Sequence, residues 1–504
     1  MMWLAQQVLW SLEWCGWIAL GAFSIHQLWL VILCLRYGRE APQPSRPFDR
    51  LPTVTVQLPV FNERYVVDRL LEAVAQLDYP RDRLEIQVLD DSTDDTAALV
   101  ADRLARFRAR GYRVSHLQRT HRHGFKAGAL ARGLSCAQGE FIALFDADFV
   151  PPPDFLQRTI HHFTDPSVGM VQTRWGHLNR DESWLTRAQA LMLDGHFLIE
   201  QVARSRAGCF FNFNGSAGVW RKQAVVEAGG WTPDTLTEDL DLSYRAQLAG
   251  WRFVYVPEVV VPGELPVLMS SLKAQHHRWT KGSIQTALKL STTVLRSREP
   301  WPVKVEACFH FGNWLTYPLG LLLSVLILPQ LLLDRSLILA HHGSNVSGAF
   351  AGILLIATTF LFHAVAQRSL ATPWWRILLE VPVLMAVSVG LALNNTHAIW
   401  EALRGVPSTF HRTPKYNGHH ASAASAHYRP GPMGTRQWTE LALGLYTCVA
   451  LGYAASQAYY AVVPFLVPVS AGFWYAGLSA FTPESSAPSR PALPSLIAQA
   501  RRAT

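Results

Sequence analysis

The sequence predicts an α/β domain inserted between membrane-spanning helices, and three observations point there. Between residues 37 and 300, short β-rich apolar runs alternate with amphipathic helical stretches. Uncharged runs long enough to cross a bilayer stand before and after that region. Apolar residues make up 49% of the 504 residues and charged residues only 16%, against roughly 25% charged in an average soluble protein. A wholly soluble chain is disfavoured, and the length asks for more than one core.

The first element is an uncharged run from Trp14 to Leu35, whose 22 residues reach ~33 Å as a helix. Glu13 precedes it, Arg36 and Arg39 follow it, and no basic leader or small-residue cleavage site accompanies it, so it reads as a retained span with the next segment cytosolic. Residues 1–36 are thus an N-terminal transmembrane helix and 37–300 a cytosolic domain. Phe311 to Leu333 and Ala349 to Gln367 give two more spans within 301–372; Lys281, Lys289, Arg296, Arg298 and Lys304 keep the preceding domain on the positive side. Pro373 to Asn395 is interrupted by Arg376 and Glu380 and reads as an interfacial helix. That choice keeps the basic loop with Arg404, Arg412, Lys415, Arg429 and Arg436 cytosolic, in a region 373–437. Leu441 to Pro483 is uncharged over about twice a span, which gives two helices within 438–483. Five spans result, with 484–504 as a disordered tail.

Within the cytosolic region the expected strands are Val54 to Leu58, Leu84 to Leu89, Arg113 to Leu117 and Phe141 to Phe145. The expected helices lie near Arg64 to Gln76, Asp94 to Phe107 and Lys126 to Ala137. Asp90 and Asp91 follow one strand and Asp146 and Asp148 another, at the carboxyl ends where open α/β sheets bind ligands. No GxxxxGK[ST] or GxGxxG segment occurs, which argues against a Walker cradle or a conventional dinucleotide turn. The formal charge of +8 comes without a long basic tract or zinc-finger spacing, so nucleic acid is not an expected partner. The six cysteines are scattered without a CxxC pair and read as reduced packing residues.

Four motifs carry chemistry. Asp146, Ala147 and Asp148 put two hard-oxygen ligands on a strand-to-loop corner, suited to Mg²⁺ or Mn²⁺ held with a diphosphate; the alternative is two solvated carboxylates. Asp90 to Thr93 could instead cap the next helix. Thr237, Glu238 and Asp239 offer a carboxylate able to accept a proton from a hydroxyl, or a helix cap built on Thr237. Gln275, His276, His277, Arg278 and Trp279 combine an amide, a permanent cation and an indole, which suits a diphosphate and a sugar face; the alternative is a basic helix on the membrane. His276 and His277 lack an HExxH or cysteine partner and read as surface or packing residues.

In that order, inside one α/β domain flanked by spans, these motifs make the chain resemble the processive family 2 glycosyltransferases. The likeness runs from about Val54 to Ala287 and is strongest to the cellulose-synthase-like A group associated with glucomannan and mannan synthesis. It rests on VQLPVFNE from Val56, QVLDDSTDDT from Gln87, HGFKAGAL from His123, VQTRW from Val171, FNGSAGVWR from Phe213, AGGW from Ala228 and QHHRW from Gln275. FHRTPK, Phe410 to Lys415, resembles the FxVTxK stretch of the cellulose synthase gating loop, with Arg412 in place of valine.

The resemblance implies a nucleotide-sugar-binding, GT-A-type Rossmann-like domain and an inverting transfer. It implies Asp239 as general base and Asp146 and Asp148 as ligands of Mg²⁺ or Mn²⁺. Asn62, Glu63, Asp90, Asp91, Lys126, Asp146, Gln275 and Arg278 would bind the donor, and Trp279 and Glu238 the acceptor. The implied partners are a nucleotide-diphosphate sugar (GDP-mannose or UDP-glucose), a growing β-glucan, mannan or glucomannan, and the lipid bilayer. A multi-pass protein of a bacterial inner membrane is expected, or of the Golgi in a eukaryote. Transfer of a single sugar to a lipid is the second enzymatic reading, and a receptor or transporter with a degenerate domain the third.

Overall fold

The computed structural model describes residues 2–38, 41–338, 345–408, 415, 417, 434–479 and 481. Most of the gating-like loop and the 484–504 tail lie outside the described residues. A first helix, α1 (Met2–Tyr37), leads into the alternation β1 (Val54–Val60), α2 (Val67–Ala75), β2 (Leu84–Asp90), α3 (Thr96–Ala109), β3 (Arg113–Gln118), α4 (Phe125–Cys136) and β4 (Phe141–Leu144). These match the runs expected from periodicity. β2 is buried along its whole length and Val54, Val56 and Leu58 of β1 are fully buried, as parallel strands covered on both faces must be.

The chain continues through α5 (Phe155–Thr159), β5 (Val168–His177), α6 (Trp184–Gly195), α7 (Gln201–Arg206), β6 (Gly218–Arg221), α8 (Lys222–Glu227), α9 (Glu238–Leu248) and β7 (Arg252–Gly263). One seven-stranded sheet results, in the order β3-β2-β1-β4-β6-β5-β7. β1 pairs parallel with β2 and β4, while β6 runs antiparallel to both β4 and β5. The order reverses at β1, and such a switch opens a crevice beyond the carboxyl ends of the strands. The two aspartate motifs flank that crevice, one ending β2 and one following β4.

Among the described residues seven helices follow: α10 (Met269–Arg296), α11 (Trp301–Gly312), α12 (Thr316–Ile338), α13 (Asn345–Arg368), α14 (Trp374–Leu403), α15 (Thr435–Ser456) and α16 (Val463–Leu478). Among the described residues, Gln7–Tyr37, Trp301–Leu332 and Trp374–Leu403 are long and apolar enough to cross a membrane, and Gly352–Arg368 and Val463–Leu478 are shorter apolar helices. The mixed α/β domain is therefore flanked by apolar helices, as a membrane protein requires. α14 runs unbroken through Arg376 and Glu380, where the sequence placed an interruption. The Arg180 guanidinium, 2.8 Å from Glu380, explains how a carboxylate sits on so apolar a helix: the partner comes from the α/β domain.

Candidate active site

The crevice is organised by the turn before β6. Ser216 Oγ accepts a hydrogen bond from the Asp146 backbone N–H at 2.9 Å, fixing the corner after β4. Lys126, in the first turn of α4, donates to Gly215 O at 2.9 Å and stands 2.6 Å from Asp146 Oδ1. Gly215 has φ +82°, and a Cβ there would lie 2.9 Å from Asp239 Oδ2. Only glycine combines that conformation with so close an approach.

Asp239 sits in the first turn of α9, where its Oδ1 accepts from the Leu240 N–H at 2.8 Å. Thr237 occupies the cap position without a side-chain capping bond; its hydroxyl stands 3.3 Å from Thr286 Oγ1 on α10. A Cβ on Gly282 would meet the Thr237 backbone nitrogen at 2.7 Å, so α10 packs directly on this turn. That contact carries Gln275, Arg278 and Trp279 to the rim of the cleft.

The electrostatics assign different states to the carboxylates. Burial, reinforced by the charge of Glu238 and opposed by Lys126, pushes Asp239 up to about 7. Burial would lower Lys126, but Asp146, Glu238 and Asp239 outweigh it and hold the ammonium above its ordinary value. Burial would raise Asp148, yet Lys415 at 2.8 Å, the Glu264 N–H at 3.1 Å and nearby Arg69 hold it below the usual carboxylate range.

Glu63, Asp91, Lys126, Asp146, Asp148, Glu238, Asp239, Gln275, Arg278 and Trp279 line one cleft. Asn62 and Asp90 stand to one side of it. Asn62 Oδ1 accepts from the Thr93 N–H at 2.8 Å; Asp90, 2% exposed, accepts from Ser92 N at 2.8 Å and pairs with His116 Nε2 at 2.8 Å. Both hold the loops that shape the cleft. Sequence reasoning missed Arg119, which grips Asp91 in a two-pronged pair, and Arg122, whose guanidinium lies 3.3 Å over the Phe61 ring at the cleft wall. Phe61 lies inside VFNE and Arg122 four residues before Lys126, so position beside a motif was the available signal.

The two DxD carboxylates each face an ammonium, Lys126 on Asp146 and Lys415 on Asp148. Paired hard oxygens that gather cations, with Glu238 and Asp239 beside them, fit a divalent metal. A second group, His277, His397 and Glu401, brings ligand atoms within 4.8 Å of one another. There Lys281 lies 2.9 Å and Arg436 3.7 Å from Glu401, and two cations on one carboxylate make this an ion-pair hub joining α10 to α14.

A second cavity of about 460 Å³ opens from the cleft and runs among the apolar helices. Trp175, Asn214, Thr237, Asp239 and Trp279 line both spaces. His276, Trp314, Tyr317 and Ser388 line the second.

Residues 52–282 match the glycosyltransferase like family 2. Glucomannan 4-beta-mannosyltransferase 1 of Oryza sativa subsp. japonica is 44% identical over 275 residues, 53% of this chain and 53% of the relative. Glucomannan 4-beta-mannosyltransferase 2 of Arabidopsis thaliana is 41% identical over 280 residues, 53% and 52% of the two chains. The chain spans about half the length of the curated relatives it matches. Among solved structures, the mannosyltransferase PcManGT from Pyrobaculum calidifontis, in complex with GDP-Man and Mn²⁺, shares the fold with a TM-score of 0.53 at 22% identity, covering 79% of this chain and 100% of that one. Sequence motifs, sheet order and cleft agree with this match of residues 52–282 to glycosyltransferase family 2.

Proposed function

We propose that the protein is a membrane-embedded, inverting β-glycosyltransferase that polymerises hexosyl units from GDP-mannose into a mannan or glucomannan-type chain, with UDP-glucose as the competing donor. The relatives' names support the sugar class. One observation carries the reading: Asp239 and Trp279 stand on the wall shared by the carboxylate cleft and the inner cavity. A donor in the cleft and an acceptor in the cavity would meet there.

Asp239 accepts the acceptor hydroxyl's proton as the new glycosidic bond forms, a role that favours a pKa near the working pH. Its value of about 7 suits that task. Lys126 and Arg278 compensate the charge of the departing diphosphate. Asp146 and Asp148 would hold a divalent cation, which supplies further charge neutralisation to that leaving group. Trp279 offers an indole face to the apolar side of a pyranose and so orients the hydroxyl toward Asp239.

The protein sits in the membrane as a multi-pass chain with this domain on the cytosolic side, the arrangement favoured by the basic residues around it. α14 lies along the membrane face. In support, its two ends pair with Arg180 and with Lys281 of the same domain side, and it runs alongside α10, with Asn394 Nδ2 donating to Lys273 O at 2.9 Å. The cavity then offers a largely apolar and aromatic path, with Asn313, Thr316 and Ser388 among its lining, for a product that cannot enter hydrocarbon.

The test supplies the purified membrane protein with labelled GDP-mannose, GDP-glucose or UDP-glucose plus Mg²⁺ or Mn²⁺. The expected product is a polymer cleaved by endo-β-1,4-mannanase. A single-sugar lipid as the sole product would replace this reading by the lipid-acceptor one, and absence of transfer from every donor would overturn both.

A further inference from the structure

One end of the charged cleft is not used by the proposed mechanism. Phe61, Asp91 and Arg119 are the first residues after β1, β2 and β3, and the parallel pairing of these strands brings them to one flank of the crevice. Gly215 and Asp239 meet on the other flank, at the turn before β6. A sugar reacting at Asp239, with its diphosphate at Lys126 and Asp146, directs the nucleoside to the β1–β3 flank.

The carboxylates of that flank are already engaged. Asp90 pairs with His116 at 2.8 Å, and Arg119 holds both oxygens of Asp91. The other donations of Arg119 go to the carbonyls of His123 and Phe125, each at 2.9 Å. Arg122 differs. Its guanidinium lies 3.3 Å from the centroid of the Phe61 ring, and its side chain is 26% exposed at the cleft wall. Nε is sealed, 3.8 Å from Asp91 Oδ2 and without a hydrogen bond. The two terminal nitrogens stay accessible, and among the described residues neither has an acceptor. Burial and Arg119 pull the guanidinium below its ordinary value despite Asp91, so an acceptor arriving there is favoured.

A guanidinium that offers its end as a fork suits two acceptors side by side, and one fixed by stacking loses little freedom on pairing. Guanine carries such a pair, O6 and N7, on one edge. The two carbonyl oxygens of uracil are separated by N3–H, so uracil meets only one prong.

We infer that Arg122, held by Phe61, selects the nucleobase of the donor: its terminal nitrogens donate to O6 and N7 of guanine and favour GDP-sugars over UDP-sugars. This rests on the GDP-mannose reading above and deepens it.

The experiment titrates the full chain in lipid nanodiscs with GDP, 7-deaza-GDP, which lacks the N7 acceptor, and UDP, each with Mn²⁺. Wild type is expected to bind GDP about tenfold tighter than either of the others. Arg122→Met keeps an unbranched stem against Phe61 and loses the fork. Removing the charge weakens every nucleoside diphosphate, so the ratios report base reading. The GDP-to-UDP preference of Arg122→Met should fall about tenfold, and its affinities for GDP and 7-deaza-GDP should agree within about twofold. A merely structural arginine would leave the 7-deaza penalty in place. If Arg122→Met binds no nucleotide, Arg122→Lys decides; it keeps the charge without a planar fork and should lose most of the GDP preference. Equal affinity of wild type for GDP and 7-deaza-GDP, or wild-type ratios in the variant that decides, would overturn the inference. A wild type that prefers UDP to GDP is a distinct result, which removes the GDP-mannose reading itself.

Discussion

The donor cleft and the inner cavity share a wall but handle polarity in opposite ways. In the cleft, Asp91 meets Arg119, Asp146 meets Lys126 and Asp148 meets Lys415. In the cavity the ion pair of Glu200 with Arg204 is set into the wall, and the neighbouring surface is aromatic and neutral: Trp314, Tyr317, Ser388 and an uncharged His276. Charged ligands are desolvated at tolerable cost only where countercharges wait, while a neutral polyol needs faces and hydroxyl partners. Under the proposed function, this difference suits the diphosphate to one space and the sugar chain to the other, with Asp239 between them.

The sharpest way to break that division is at the shared wall. Asp239→Asn keeps the shape of the side chain and cannot take a proton, so turnover should fall by about 10² to 10⁴-fold while nucleotide binding persists; steady-state rates and a nucleotide titration check both halves. Trp279→Ala, read as polymer formation, should lose on the order of 10²-fold by letting the acceptor hydroxyl drift from Asp239. On the cleft side alone, Asp148→Ala should weaken Mn²⁺-dependent nucleotide binding by roughly 10 to 100-fold, measured by titration with and without the metal.

The smallest effect is the pH profile. Because burial raises Asp239 to about 7, its proton-accepting form is present above that pH and disappears below it. Transfer should fall about tenfold for each unit of pH below 7, whereas Lys126, held above its ordinary value, remains charged throughout. A rate flat between pH 5 and 8 would remove Asp239 from the role of base.

Much of the α/β half is legible in the sequence because its elements declare themselves locally. β1, β2 and β4 carry apolar residues bracketed by turn residues, and the aspartates stand at or just beyond the ends of β2 and β4. β6 is not legible: Gly218–Arg221 is four residues long, too short for periodicity to register, and its antiparallel setting comes from the strands it joins. Asp90 and Asp91 differ in placement although they are the same residue type in one motif. Strand alternation sends neighbouring side chains to opposite faces, so one can reach the cleft while the other meets His116. Glu380 shows why the helical half is harder to read, since its neutralising partner Arg180 lies 200 residues away in the chain. Gly215 is legible as a motif glycine, but its reason, the close approach of Asp239, appears only when α9 is folded against the sheet.

The division between a charged cleft and a neutral cavity is tested most directly by titrating GDP-mannose with Mn²⁺ and, separately, β-1,4-mannotetraose into wild type, Asp148→Ala and Trp279→Ala on matched preparations. The account predicts that Asp148→Ala loses nucleotide affinity and keeps the oligosaccharide, while Trp279→Ala keeps nucleotide affinity within about twofold and loses the oligosaccharide by about tenfold or more. Loss of both ligands in both variants, or nucleotide loss in Trp279→Ala alone, would contradict it.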